Sequence, residues 1–282
     1  MIKKSGLILT LVLLLTLSIF AAGCGSGDTK DTSLSDIQKK GELILGCDDK
    51  FPPMGFRDPD GNLVGFDLEL AEAVCEKLEV KLNATPIDWS SKEMELESGK
   101  IDVIWNGYSI SADRNKKVEF TKPYLQNEQT IVVRADSDIQ TKEDLAGKIL
   151  GTQLESAAES VVNEDTQFRE SLSDLRGFAD FQNAMLDLET SNRLDGVAGD
   201  IVLIKYIMQQ QPGKFRILEN SLSDEYFGIG CPKGAVSLRE AIDNALDELN
   251  EDGTIEAISN KWFNENIVIR DVPKLTQEEL EG

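Results

Sequence analysis

Apolar and polar positions run along this chain in two rhythms that trade places at glycine, proline or aspartate. Short aliphatic or β-branched runs at 43–45, 80–87, 101–105, 125–134, 147–151 and 194–198 have the length and boundaries of strands. Between them apolar residues recur three or four apart. In Gly65 to Leu78 the stripe runs Leu70, Val74 and Leu78, with Ala71 and Cys75 beside it: one face of a helix packed on a sheet. Segments 92–98, 141–145, 156–162, 181–188, 239–250 and 254–263 read as further helices, and Asp58-Pro-Asp-Gly61 as a turn. Strands alternating with helices predict an α/β fold of the doubly wound kind.

The pattern echoes itself. Gly41-Glu-Leu-Ile-Leu-Gly46 followed by polar residues returns as Gly147-Lys-Ile-Leu-Gly151, and Ser98-Gly-Lys-Ile-Asp102 as Ser191-Asn-Arg-Leu-Asp195, each entering a strand. Two similar lobes would each offer loops at strand C-terminal ends, where open α/β sheets bind ligands. Facing loops make a cleft.

Composition narrows the chemistry. The net charge of −22 disfavours nucleic acid and anionic lipid as surface partners. Histidine is absent, which removes Ser-His-Asp and Cys-His catalysis and the commonest zinc ligand; no cofactor or metal is expected. Cys47, Cys75 and Cys231 have no metal spacing and allow one internal disulfide at most, or buried free thiols. At the N-terminus Lys3 and Lys4 precede an apolar stretch, Leu7 to Phe20, and Ala21-Ala-Gly-Cys24 is a small-residue processing site. It resembles the bacterial lipobox, in which the cysteine is lipidated, although Ala21 stands where that pattern usually has Leu. A flexible Gly/Ser/Asp-rich tether follows.

One stretch carries a conflict that a ligand would resolve. Ser111 is a good N-cap, so Arg114 falls in the first turn of a helix, where the positive end of the dipole disfavours a cation by roughly 0.3–1 kcal/mol. A bound carboxylate would pair with the guanidinium fork and with free N–H groups of the turn; a local carboxylate such as Asp113 or Glu119 is the alternative.

Gly65-Phe-Asp-Leu-Glu-Leu with Val74, Cys75 and Leu78 resembles the signature of the family 3 extracellular solute-binding proteins, the polar amino-acid receptors of ABC importers. Asp48 to Phe56, Trp89, Asn106-Gly107-x-Ser109 through Arg114, Phe120-Thr-x-Pro-Tyr124 and Gly253 to Phe263 are similar to that family in the same order, over about residues 35 to 263. The resemblance implies a two-lobed periplasmic-binding-protein-like (type II) fold, two doubly wound lobes joined by two crossover strands. It also implies that the helix-to-strand disulfide of some members is absent, because Leu82 stands where the partner of Cys75 would be. The expected organisation is a leader over 1–23, a tether over 24–36, a first lobe over 37–127 completed by 227–263, a second lobe over 128–226, and a loosely held acidic tail over 264–282.

A free amino acid in the cleft needs partners for two desolvated charges. Arg114 is the carboxylate partner, helped by backbone N–H groups at Ser109 and Ser156, and Asn106, Gly107 and Ala157 are further expected ligand-binding residues. By resemblance Asp200 takes the ammonium, with helix capping as its other reading. Side-chain recognition falls to Asp48, Phe51, Asp67, Trp89 and Gln153; Asp67 reads equally well as a helix cap. Gln153 stands where some relatives carry lysine and Gly199 where some carry histidine. With Arg114 the only cation of the set, the expected ligands are basic or neutral polar: arginine, lysine, histidine, glutamine or cystine.

The resemblance therefore implies a non-enzymatic, monomeric receptor, held outside the cell membrane through lipidated Cys24 and delivering its amino acid to an ABC permease. The rivals are a cyclohexadienyl-dehydratase-like enzyme on the same fold, recruiting Asp48 or Glu155 as acid, and a ligand-sensing partner of a membrane receptor.

Overall fold

The computed structural model describes residues 31–191, 193–220 and 222–281; the expected leader, Cys24 and most of the tether lie outside them. After a helix at Ser33–Lys40 the chain lays down β1 (Glu42–Cys47), β2 (Lys50–Phe51), β3 (Gly55–Arg57) and β4 (Leu63–Val64), then a helix at Phe66–Lys77. β5 (Lys81–Pro86), a helix at Lys92–Glu97, β6 (Val103–Ile104), a helix at Ala112–Lys117 and β7 (Val118–Phe120) follow. β8 (Leu125–Arg134) opens the second half, with β9 (Ile149–Gln153), β10 (Asp174–Phe178), β11 (Gly196–Asp200), β12 (Phe215–Ile217) and β13 (Ser223–Phe227). Helices at Ala157–Glu164, Thr166–Ser171, Phe181–Thr190 and Ile201–Gln210 connect these strands. β14 (Gly230–Pro232) precedes helices at Val236–Glu251, Thr254–Phe263 and Gln277–Glu281.

Two sheets result, in the order β5-β1-β6-β14-β7 and β10-β9-β11-β8-β12, with β13 added to β8; β2, β3 and β4 form a small meander. In the first sheet β1 pairs in parallel with β5 and β6, and in the second β9 pairs in parallel with β10 and β11. Parallel neighbours need helical crossovers, which is what the alternating rhythm supplies. The chain passes from the first sheet to the second between β7 and β8, and back between β13 and β14. These two passages lie side by side, since β13 pairs antiparallel with Leu125–Gln129 of β8.

The Phe66–Lys77 helix buries Phe66, Leu68, Leu70, Ala71, Val74 and Cys75. Each large apolar side chain of such a face contributes roughly 1.5–3 kcal/mol on full burial. Gly65 is required at its start. Its φ of +152° suits glycine, and a Cβ would strike the Met54 carbonyl, to which the helix start is pinned by Phe66 N–H on Pro53 O and Asp67 N–H on Met54 O. The three described cysteines are free and buried; burial pushes the thiols of Cys47 and Cys75 up to about 12.

The segment after residue 263 differs from expectation. It is acidic but not loosely held. Val268 bridges Leu125, Ile269 donates to the Tyr124 carbonyl, and Arg270 pairs with Asp243 and Asp247 while its side chain is only 5% exposed. The charge count of the segment conceals Arg270 and Lys274, each placed opposite an acid of the first lobe.

Candidate functional site

Between the sheets, at the C-terminal ends of their strands, lies a small cavity. At one end sits Arg114. Ser111 caps its helix by accepting the Arg114 N–H at 3.3 Å. The guanidinium donates to the Ser109 carbonyl at 3.0 Å and, across the cleft, to the Glu155 carbonyl at 3.1 Å. It lies 4.8 Å above the Tyr108 ring, an arrangement that favours a cation. Asp113, the local alternative, pairs with Lys116 instead; the carboxylate nearest Arg114 is Glu93, at 4.0 Å. Glu93 is already engaged by the Tyr108 hydroxyl at 2.9 Å and by Lys92 at 3.3 Å. Burial and the neighbouring Arg114 bring the Lys92 amine down to about 8. Facing this end from the second lobe, Ser156 caps the Ala157–Glu164 helix by accepting the Glu159 N–H, so the unpaired first-turn N–H groups of that helix start at Ala157.

The opposite end is acidic. Asp200 closes β11, and its Oδ1 accepts from Asn127 at 2.8 Å and Gln129 at 2.7 Å. The same two amides donate to Glu225, at 2.6 and 2.8 Å, and Glu225 also accepts from the Ser109 hydroxyl at 2.9 Å. Asp200 occupies the cap position of the Ile201–Gln210 helix yet makes no capping bond. Among the described residues no lysine or arginine comes within 4.0 Å of either carboxylate, so neither forms an ion pair. Burial and the Glu225 charge push the Asp200 carboxyl well above its ordinary value.

A third side is built from Asp48, Phe51, Trp89, Gln153 and Phe181. Asp48 accepts from Gln153 across the cleft at 2.7 Å and from the Lys50 N–H at 2.9 Å, and burial raises its carboxyl to about 6. Asn106 accepts the Asp48 N–H at 3.0 Å. Phe51 and Phe181 meet with ring centroids 5.9 Å apart, one from each lobe. Gly107, at φ +58°, lets the backbone approach, since a Cβ there would lie 2.8 Å from the Phe51 ring. Lys50 closes the same side on Asp180 at 2.7 Å.

Of the residues expected from sequence, Asp48, Phe51, Trp89, Asn106, Gly107, Ser109, Arg114, Gln153, Ser156, Ala157 and Asp200 all line the cavity. Asp67 does not. It is fully buried behind the wall, where it accepts the Gly107 N–H at 2.7 Å and the Tyr124 hydroxyl at 2.9 Å, and burial lifts its carboxyl to about 7. Nor does it cap its helix, whose cap position is Gly65. It holds the loop that a ligand would touch.

Sequence reasoning missed Phe181 and Glu225. Phe181 fits because Gly199 leaves room; a Cβ at 199 would sit 2.5 Å from its ring. Asn127 and Gln129, buried polar residues two apart in β8, mark the face that Glu225 joins. Among the described residues no group of three or more His, Cys, Asp or Glu is arranged to hold a metal, and no helix is long and apolar enough to cross a membrane.

Comparison with known proteins shows the family. Residues 43–265 match the family described as bacterial extracellular solute-binding proteins, family 3. The L-cystine-binding protein TcyJ of Escherichia coli K12 is 29% identical over 236 residues, 83% of this chain and 87% of that protein. A solved ABC uptake transporter substrate-binding protein from Streptococcus pneumoniae with bound histidine is 35% identical, with a TM-score of 0.81 over 85% of this chain and 98% of that one. The solved structure of Tv2483 bound to L-arginine is 28% identical, with a TM-score of 0.82 over 86% of this chain and 98% of the other.

Proposed function

The chain belongs to the bacterial extracellular solute-binding proteins, family 3, and we propose that it captures one polar L-amino acid between its lobes and hands it to an ABC permease. The observation that carries this is the charge layout of the cavity. A buried cation at one end and, at the other, a pair of carboxylates with no ion pair among the described residues match the two charges of a free amino acid. Arg114 takes the α-carboxylate with the N–H groups at Ala157 and beyond; Asp200, backed by Glu225, takes the α-ammonium; Asp48, Phe51, Trp89, Gln153 and Phe181 meet the side chain. Aromatic faces and an acid suit a guanidinium, an ammonium or a neutral polar group, so arginine, lysine, histidine, glutamine and cystine fit and glutamate does not. The relatives named above bind cystine, histidine and arginine.

Closure follows from the same contacts. A ligand touching both lobes binds the closed form better than the open one, and shifts the population by that difference. Nothing in this scheme needs a covalent step, and the protein acts as a monomer. Residues 1–23 serve as a leader and Cys24 carries the lipid anchor, holding the receptor outside the membrane beside its permease. Palmitate labelling that persists undiminished in Cys24→Ser would refute the anchor.

Native mass spectrometry of protein purified without denaturation tests the central reading. The expected result is a species heavier by one polar amino acid; a protein that carries none, and binds none of the common amino acids by calorimetry, refutes it.

A further inference from the structure

The family match ends at residue 265, yet the chain continues along the first lobe to the back of the ligand cavity. Its path is fixed at several points. Val268 and Ile269 attach beside Leu125 and Tyr124, where the chain crosses between lobes. Arg270 is buried against Asp243 at 3.2 Å and Asp247 at 2.9 Å. Lys274 pairs with Glu119 at 2.5 Å. Thr276 and Glu279 then bond each other, the Thr276 N–H reaching the Glu279 carboxylate at 2.7 Å, and start the last helix.

That helix lies against the one carrying Arg114. Gln277 accepts from the Asn115 side chain at 2.9 Å and donates to the Ala112 carbonyl at 3.2 Å. Lys116 reaches Glu281 at 3.4 Å. Leu275 and Leu280 pack on the apolar cluster that holds Trp89, a cavity wall, and Tyr108, the ring beneath the Arg114 guanidinium. The Ala112–Lys117 helix has only six residues, too few to persist without tertiary support. Gln277 and the two leucines supply that support from the side away from the cavity.

We propose that residues 266–281 are a positioning element of the ligand site, with Leu275, Gln277 and Leu280 setting the Arg114 helix and the Trp89–Tyr108 wall from behind. The effect on binding rests on the amino-acid reading above; the effect on the helix does not.

The test uses the full chain with Leu275→Ala, Gln277→Ala and Leu280→Ala combined. Hydrogen exchange should rise about tenfold in 109–117, with no change in the second-lobe helix at Ala157–Glu164. Calorimetric affinity for the best-bound of L-arginine, L-histidine, L-glutamine and L-cystine should fall about tenfold, the scale of one net hydrogen bond, at a temperature where circular dichroism shows a folded protein. Leu275→Met with Leu280→Met and Gln277 retained should restore both. Unchanged exchange at 109–117, or exchange raised equally in both lobes, overturns the proposal. So does undiminished affinity in a variant whose exchange has risen. If the unaltered protein binds none of the common amino acids, the receptor reading fails while the exchange result still decides the positioning role.

Discussion

The two charged ends of the cavity are solved in opposite ways. At the Arg114 end the charge is already provided for, by the Ser109 and Glu155 carbonyls and the face of Tyr108. At the Asp200 end two carboxylates share two neutral amides and, among the described residues, form no ion pair, with Arg114 acting on Asp200 only at longer range. Neutral donors do not compensate a buried carboxylate fully, and Asp200 responds with a raised pKa. In the proposed reading one end is therefore set before a ligand arrives, while the other gains a counter-charge within ion-pair distance only with the ligand. That difference gives the site a polarity: a zwitterion fits in one direction.

Removing the prepared end should do most harm. Arg114→Ala is expected to cost about 3–5 kcal/mol of amino-acid binding, on the order of a hundredfold or more in Kd. Arg114→Lys should recover part of it, because lysine lacks the bidentate fork. Calorimetry checks both, and near-wild-type affinity in the alanine variant would erase the contrast between the ends.

The acidic end should follow. Asp200→Asn keeps the size of the side chain and removes its charge, and is expected to cost about 2 kcal/mol or more, roughly thirtyfold. An affinity unchanged in that variant would shift the ammonium to Glu225. A smaller effect sharpens the third side: with Asp48 facing the ligand side chain, glutamate should bind at least about tenfold more weakly than the best basic or neutral amino acid, the scale of one unfavourable buried charge contact. A thermal-shift screen led by glutamate or aspartate would remove Asp48 from side-chain recognition.

Asp67 shows what the chain alone reveals and what it hides. The apolar stripe of Phe66–Lys77 was legible because burial on one face repeats every three or four residues. The Leu125–Arg134 strand was legible for a similar reason, being apolar and β-branched through its buried centre. Strands β10 and β12 and the Thr166–Ser171 helix were not, since β10 is only half-buried and the other two are very short. Most cavity residues were legible through motifs at loop and helix starts. Asp67 belongs to such a motif, but its side chain points into the lobe, which no spacing rule reports. Phe181 reaches the cavity, and Glu225 the amides that hold Asp200, from positions distant in sequence. The final segment misled because its composition is acidic, while a few cations and leucines decide where it packs.

The buried acids also make the stability of the ligand-free protein depend on pH. The Asp67 and Asp48 carboxyls stand above the ordinary value of 3.8, at about 7 and about 6, so the folded protein holds more protons than the unfolded chain across that interval. Stability of the ligand-free protein should therefore fall as pH rises from about 4 to about 7, by about 1.4 kcal/mol per unit of elevation for each group. Asp67→Asn should flatten the part of the fall between pH 6 and 7. Urea midpoints at pH 5 and pH 8 decide it; a midpoint higher at pH 8 in wild type would contradict the sign.

The contrast between the two ends is tested most directly by the ligand's own charges. The amino acid recovered by native mass spectrometry should be titrated by calorimetry beside its decarboxylated amine and its Nα-acetyl derivative. The account predicts tight binding of the intact amino acid and a loss of about a hundredfold or more for each analogue, one failing at Arg114 and the other at Asp200. Either analogue binding as tightly as the parent would contradict it.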